Sequence, residues 1–275
     1  MPDHSPFDLP PSTHPPASAL LCFDFDGTLI HHEANPPFSA ALGDLLRAAR
    51  RHGARWLINT GRSLGHALEG VRTYGLPGEP DYIVAREHEL FARDDAGRWV
   101  DAGGWNDHCR IAHDTFFEEH AEVLGELRTF TEARNLAWWV DDRVDPAGLV
   151  AHGEPQMEEI VTFIEKWRPS FPSLGYHRNS VWMRFTHIAF NKGSALAELT
   201  RQLGLTAARV FAAGDNLNDL PMLRRELAAG LCCPSNALDE VKRHIRGEGG
   251  LVAGQPGSAG VAEGLGPFLR GLELA

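Results

Sequence analysis

Short runs of buried-type residues alternate with amphipathic stretches at both ends of the chain. Ala19 to Phe23 is small or apolar throughout and reads as a buried strand. Phe38, Ala41, Leu42, Leu45, Leu46 and Ala49 then recur at helical spacing, and Gly53 stands where that helix should stop. Arg55 to Asn59 and Tyr82 to Ala85 read as further short strands, with Thr60 or Ser63 able to cap the helix between them. The same rhythm returns after Lys192. Leu196, Leu199 and Leu203 form a helical stripe stopped by Gly204, and Val210 to Ala213 reads as a strand. Asn218–Arg225 reads as helix and Ala228 to Cys233 as strand, with Ser235-Asn236-Ala237 as a cap for the helix through Val241. Strands alternating with amphipathic helices build parallel βαβ units, whose ligands gather at the carboxyl ends of the strands.

The pattern changes after Arg86. A hairpin is expected between His88–Ala92 and Trp99–Asp101, turning at Asp94-Asp95-Ala96-Gly97. One long helix is expected over Asp107 to Arg134, with Phe116, Val123, Leu124, Leu127 and Phe130 facing inward. Strands follow at Leu136–Asp141 and Gly148–His152. After them come a helix through Met157, Ile160, Val161, Ile164 and Trp167, and strands at Leu174–Arg178 and Val181–Phe185. This α-β-β-α-β-β order lacks the one-helix-per-strand rhythm of the flanks and predicts an inserted second domain with an antiparallel sheet. The expected organisation is a disordered lead-in at 1–18, an α/β core at 19–86 and 188–275, and an α+β insert at 87–187.

The first strand runs into Cys22-Phe23-Asp24-Phe25-Asp26-Gly27-Thr28-Leu29. A buried, unpaired carboxylate costs several kcal/mol or shifts its pKa, so two at a strand end ask for a cation or for polar partners. Asp24 and Asp26 would share a face if the strand persists, and Gly27 would let the chain turn away. Alone, this stretch is also what a strand ending in an acidic turn would show. Three further pieces accompany it, at strand ends or helix starts: Asn59-Thr60-Gly61-Arg62, Asn191-Lys192-Gly193 and Gly214-Asp215-Asn216-Leu217-Asn218-Asp219.

In these four pieces and their order the chain resembles the haloacid dehalogenase-like phosphohydrolases, over nearly all of its length after residue 19. The resemblance implies a Rossmann-like parallel-sheet core with an inserted αββαββ cap of type IIB. That cap class belongs to the Cof-type and sucrose-phosphatase-like group, and the short insert is nearer sugar-phosphate phosphatases than larger-capped members. It implies that Asp24 attacks phosphorus, while Asp26 protonates the leaving alkoxide and then activates water. Thr60, Gly61, Arg62, Lys192 and Asn218 would bind the phosphoryl group, Thr60 and Lys192 also serving catalysis. Asp24, Asp215 and the backbone carbonyl of Asp26 would hold Mg²⁺, with Asp219 orienting the set from outside. Glu87-His88-Glu89 stands where many relatives carry an asparagine-glycine pair, so no substrate contact is carried over there.

Composition narrows the partners. A formal net charge of −11 argues against nucleic acid or an anionic membrane as main partner. It leaves room for a small anionic substrate beside a local cation. No apolar run is long enough to span a membrane. The proline-rich start does not read as a signal peptide, and Cys22, Cys109, Cys232 and Cys233 read as thiols of a reducing compartment, so a cytoplasmic monomer or homodimer is expected. His31-His32 reads as a solvated loop and His108, His113 and His120 as surface residues; Arg184, His187 and Asn191 stand near the return to the core, where a substrate could be met. The leading expectation is a Mg²⁺-dependent phosphatase for a small phosphorylated metabolite such as a sugar phosphate. A phosphomutase of the same superfamily and a non-catalytic sugar-phosphate-binding protein are the alternatives.

Overall fold

The computed structural model describes residues 16–94, 96–140 and 148–274. The first elements are β1 (Leu20–Phe23), α1 (Ala40–Arg51), β2 (Arg55–Asn59), α2 (Leu64–Thr73), β3 (Tyr82–Ala85), β4 (Glu89–Arg93) and β5 (Trp99–Asp101). Then come α3 (Trp105–Glu119), α4 (Ala121–Ala133), β6 (Ala137–Val140), β7 (Gly148–Ala151), α5 (Glu154–Trp167), β8 (Leu174–Asn179) and β9 (Trp182–His187). The chain closes with α6 (Lys192–Gln202), β10 (Val210–Ala213), β11 (Gly230–Cys233), α7 (Asp239–Gly247), β12 (Leu251–Val252) and α8 (Gly257–Gly271). The chain up to Asn106 and from Asn191 onward forms one unit, and Asp107–Phe190 forms a second.

In the first unit one sheet runs in the order β12-β11-β10-β1-β2-β3-β4-β5. Neighbours from β12 to β3 are parallel, and β4 and β5 are added antiparallel. All four residues of β1 are buried, as a strand covered on both faces requires. Phe23 pairs with Ala213 on one side and Ile58 on the other. Asp24 and Gly214, which follow β1 and β10, and Asn59, which ends β2, therefore lie side by side. Phe25, Trp56, Leu46, Phe211 and Leu265 belong to one apolar cluster of this unit.

The expected hairpin belongs to this core sheet, which moves the start of the insert from residue 87 to Asp107. Arg86 and Glu87 both take left-handed backbone (φ 48° and 71°), so the chain reverses at once and Ala85 pairs with Glu89. Side chains from α3 then fix the new strand. Trp105 Nε1 donates to the His88 carbonyl (2.7 Å), and Asn106 takes the Leu90 N–H (2.7 Å) and returns a bond to its carbonyl (3.0 Å).

The second unit carries an antiparallel sheet in the order β6-β7-β9-β8. Leu149, Met183 and Phe185 cluster with Leu127, Met157 and Ile160 of α4 and α5. The expected αββαββ order holds, but the single helix expected over 107–134 is two, broken at His120. There the imidazole Nδ1 donates to the Phe116 carbonyl (2.8 Å), the same oxygen that accepts the His120 backbone N–H (3.0 Å). Two other expectations change. Asn218–Arg225 is a short 3-10 turn at Leu217–Asp219 followed by turns, Pro221 being unable to donate to a helix. Asn236 does not cap α7; its amide donates to the Gly27 carbonyl (2.9 Å). Residues 1–15 of the expected lead-in, Asp95 of the expected hairpin turn and Asp141 of the expected strand lie outside the described residues. No helix among the described residues is long and apolar enough to cross a membrane.

Phe185 is fully buried and stacks on Trp139 (5.8 Å), whereas Trp182 on the same strand is 59% exposed. Phe185→Ala should cost about 3–5 kcal/mol in urea unfolding. Trp182→Ala should stay within about 0.5 kcal/mol of the wild type.

Candidate active site

Strand β1 ends at Phe23, before either carboxylate, so strand alternation does not carry through to Asp26. Asp24 and Asp26 meet different partners. Asp24 is buried and faces Lys192, whose Nζ lies 2.5 Å from Asp24 Oδ1 and 2.6 Å from Asp219 Oδ1. Lys192 is itself fully buried, at the first turn of α6. Asn191 caps that helix through the N–H groups of Gly193 and Ser194, and Ser194 Oγ accepts the Asn191 N–H. Asn59, at the end of β2, donates to the Lys192 carbonyl (2.9 Å). A Cβ at Gly193 would strike the Pro221 carbonyl, so the loop after β10 sits flush against the start of α6.

Asp219 uses both oxygens: Oδ1 takes Lys192, and Oδ2 accepts the backbone N–H groups of Asp215 and Asn216 (2.8 and 2.9 Å). Asp215 is oriented by Thr28, whose hydroxyl donates to Oδ1 (2.7 Å). Gly27 has φ 83°, and a Cβ there would collide with the Asp215 carboxylate. Ligand oxygens of Asp24, Asp215 and Asp219 all lie within 4.8 Å of one another. Three carboxylates thus share one ammonium. Burial would lower Lys192, but Asp219, Asp24 and Glu87 hold it charged, well above its ordinary value. Burial pushes Asp24 well up against the pull of Lys192, with Asp219 and Asp215 adding to the rise. Asp215 is pushed up to about 7, by burial first and by Asp219 second.

The Asp26 carboxylate lies outside that group. Arg62 grips it with Nε on Oδ2 (2.7 Å) and Nη2 on Oδ1 (2.6 Å), and His32 Nε2 lies 2.9 Å from Oδ1. Burial alone would raise the Asp26 carboxyl, but the bonds from Arg62 and His32 outweigh it and hold it below the usual carboxylate range. Arg62, expected at the phosphoryl group, is thus committed to Asp26. Thr60 is buried, and its hydroxyl accepts the Arg62 N–H (3.2 Å), which leaves its own proton to donate. Gly61 follows, its Cα side turned toward the Glu87 carboxylate. Glu87 is buried and accepts from Asn218 Nδ2 (2.9 Å), which fixes the Asn218 amide.

Sequence reasoning gave no role to Asn59, His32, Tyr74 or Glu87. Glu87 carried a signal as a departure from the family pattern, Asn59 stood inside a motif, and His32 stood just beyond the opening motif but was read as a solvated loop. His113 and His120, expected at the surface, are buried: each donates Nδ1–H to the carbonyl four residues back, and Nε2 meets Thr186 (2.7 Å) or Ser173 (3.1 Å). Arg184 and His187 lie on β9 of the second unit, and Asn191 caps α6 of the first. All four cysteines are free and buried, and burial pushes the Cys22 and Cys232 thiols up to about 12.

A family model described as haloacid dehalogenase-like hydrolase matches residues 147–263. A putative phosphatase of Bacillus subtilis strain 168, YxeH, is 24% identical over 81% of this chain and 89% of its own. Both findings make the chain similar to haloacid dehalogenase-like hydrolases. Solved structures agree in fold. The sucrose-phosphatase of Synechocystis sp. PCC6803, solved with sucrose and phosphate, superposes with TM-score 0.69 at 18% identity, over 92% of this chain and 98% of that one. A subclass IIB sugar phosphatase of the superfamily gives TM-score 0.64 at 16% identity, over 94% and 100%. At these identities the likeness is one of fold: a parallel-sheet hydrolase core and a separate antiparallel cap-type sheet.

The acidic group suits a hard divalent cation. The donors are close-set carboxylate oxygens, Asp24 and Asp219 buried and Asp215 half-buried, and one lysine leaves them net negative. Lys192→Met should therefore cost about 3–5 kcal/mol in urea unfolding, because it strands buried carboxylates. Adding Asp219→Asn should recover part of that loss in a double-mutant cycle.

Proposed function

We propose that the chain is a Mg²⁺-dependent phosphatase of a small phosphomonoester, in the first instance a sugar phosphate, working through an aspartyl-phosphate on Asp24. The observation that carries this reading is the meeting of Asp24 with Lys192, Asp215 and Asp219 where parallel strands end. The sugar rests on two structural relatives, a sucrose-phosphatase and a subclass IIB sugar phosphatase. Asp24 and Asp215, with the backbone carbonyl of Asp26, would hold the cation, and Asp219 would fix their geometry. The cation would neutralise non-bridging phosphoryl oxygens, as phosphoryl transfer requires.

The residues then divide the work. An Asp24 oxygen attacks phosphorus as the bond to the leaving oxygen breaks, and Asp26, which must enter this step protonated against the hold of Arg62 and His32, gives that oxygen its proton. Water next attacks the phosphorus of the aspartyl-phosphate, loses its proton to Asp26, and releases phosphate and Asp24. Lys192 stays protonated and charge-compensates the attacked group. Thr60 and Asn218 donate to its oxygens. The Asp107–Phe190 unit, inserted between the Thr60 and Lys192 pieces, is read as the cap that selects the ester. The four buried thiols suit a reducing compartment, the cytoplasm.

Phosphate release should be measured from a panel of phosphorylated sugars, nucleotides and glycolytic acids, with Mg²⁺ and with chelator. Metal-dependent release favouring one ester is expected, and Asp24→Asn should lower it about a thousandfold or more while the fold is kept. An isomeric ester in place of free phosphate would make the enzyme a mutase, and binding without turnover would make it a binding protein. A second measurement addresses the cation. A carboxyl raised from 3.8 to about 7 makes the folded, metal-free protein bind more protons than the unfolded chain between those values. Its stability then falls as pH rises through about 7, while cation binding, which needs the ionised form, strengthens. The gain in Tm from Mg²⁺ over chelator should be larger at about pH 8 than at about pH 5.

A further inference from the structure

One residue outside every motif reaches the carboxylate assigned to proton transfer, and a second stands behind it. His32 Nε2 lies 2.9 Å from Asp26 Oδ1, and the other ring nitrogen, Nδ1, lies 3.2 Å from the Tyr74 hydroxyl. The two contacts select one tautomer. The Tyr74 O–H donates to Nδ1, which leaves the hydrogen on Nε2 to donate to the carboxylate; the opposite tautomer would set a lone pair against a negative charge. Tyr74 is held in turn. It caps the C-terminal end of α2 with its N–H on the Gly70 carbonyl (3.0 Å), and its ring packs against Phe25 (6.3 Å) and edge-on to His32 (5.5 Å). The His32 side chain is 49% exposed, so its bond to Asp26 is not forced by core packing; water was available to it.

Arg62 already grips both oxygens of Asp26, so the role of His32 lies in what a guanidinium cannot guarantee. A guanidinium is the side chain a phosphoryl dianion most readily recruits. Were such a group to draw Arg62 away, the His32 contact, backed by Tyr74, would still hold Asp26.

We propose that His32, with Tyr74 behind it, is a positioning residue that keeps the Asp26 carboxyl where it passes a proton to the leaving oxygen and takes one from the attacking water. The proposal rests on the phosphatase reading above. It has a signature of its own: the contribution of His32 must scale with the leaving group's need for a proton. An alkoxide needs one to depart, and a nitrophenolate does not.

The test compares wild type, His32→Ala, His32→Gln and Tyr74→Phe on p-nitrophenyl phosphate and on the best alkyl phosphate of the panel, with Mg²⁺, after unfolding curves establish that each is folded. His32→Ala should lose about tenfold or more in kcat on the alkyl ester, with KM little changed, and less than about twofold on the aryl ester. His32→Gln, which keeps an N–H near the position of Nε2, should recover most of the loss. Tyr74→Phe should show the same selectivity at smaller size. Equal losses on both esters, or none on the alkyl ester, would overturn the positioning role and leave the phosphatase reading standing. Turnover by wild type confined to the aryl ester would overturn it as well. Release from neither ester by wild type would overturn the phosphatase reading itself, and the proposal with it.

Discussion

The site depends on one buried ammonium. Lys192 lies between Asp24 and Asp219 with no exposed surface, and Asp219, Asp24 and Glu87 keep it charged against the cost of burial. A buried ion pair is weak evidence for stability, since desolvation offsets much of the attraction. Here the arrangement is unbalanced as well, with three carboxylates to one cation. The fold tolerates this through well-directed dipoles: two backbone N–H groups on Asp219, the Thr28 hydroxyl on Asp215, and the amino end of α6 around the lysine. The negative charge that remains is a standing preference for a second, removable positive charge.

The two aspartates of the opening motif illustrate how neighbours in sequence acquire different chemistry. Asp24 stands among like charges in a dry setting, which pushes its carboxyl up. Asp26, two residues on, accepts from a guanidinium and an imidazole and is held down. Environments that separate two carboxyl groups in this way are the usual basis for giving them separate tasks. The end of β1 at Phe23 makes the division possible, because it frees the chain to turn Asp26 away from its neighbour.

Much of this was legible in the sequence, for definite reasons. Apolar runs such as Leu20–Phe23 and stripes such as Leu196 and Leu199 declare parallel strands and their helices, and strand ends declare where chemistry gathers. The hairpin at β4 and β5 was misplaced because period-two alternation is the same whether a hairpin extends an existing sheet or begins another. What decides is the left-handed pair Arg86 and Glu87 and the bonds from Trp105 and Asn106, none of which has a periodic signature. His113 and His120 were read as surface residues because spacing does not reveal that an imidazole can satisfy itself on its own helix. His32 was read as a solvated loop because its partner Tyr74 is 42 residues away. Long-range polar contacts of exposed side chains leave no trace in hydrophobic pattern.

The return of the chain from the inserted unit carries a mechanical consequence. It re-enters the first unit at Asn191, the residue immediately before the buried lysine. Any tug transmitted along that covalent connection arrives one peptide away from the most position-sensitive group in the molecule. The Asn191–Ser194 reciprocal bonds and the Asn59 hold on the Lys192 carbonyl lie at that point of entry, like the clamp where a cable enters a housing. They tie down the backbone on both sides of the peptide that carries the ammonium, so the chain is anchored at the point where the insert ends.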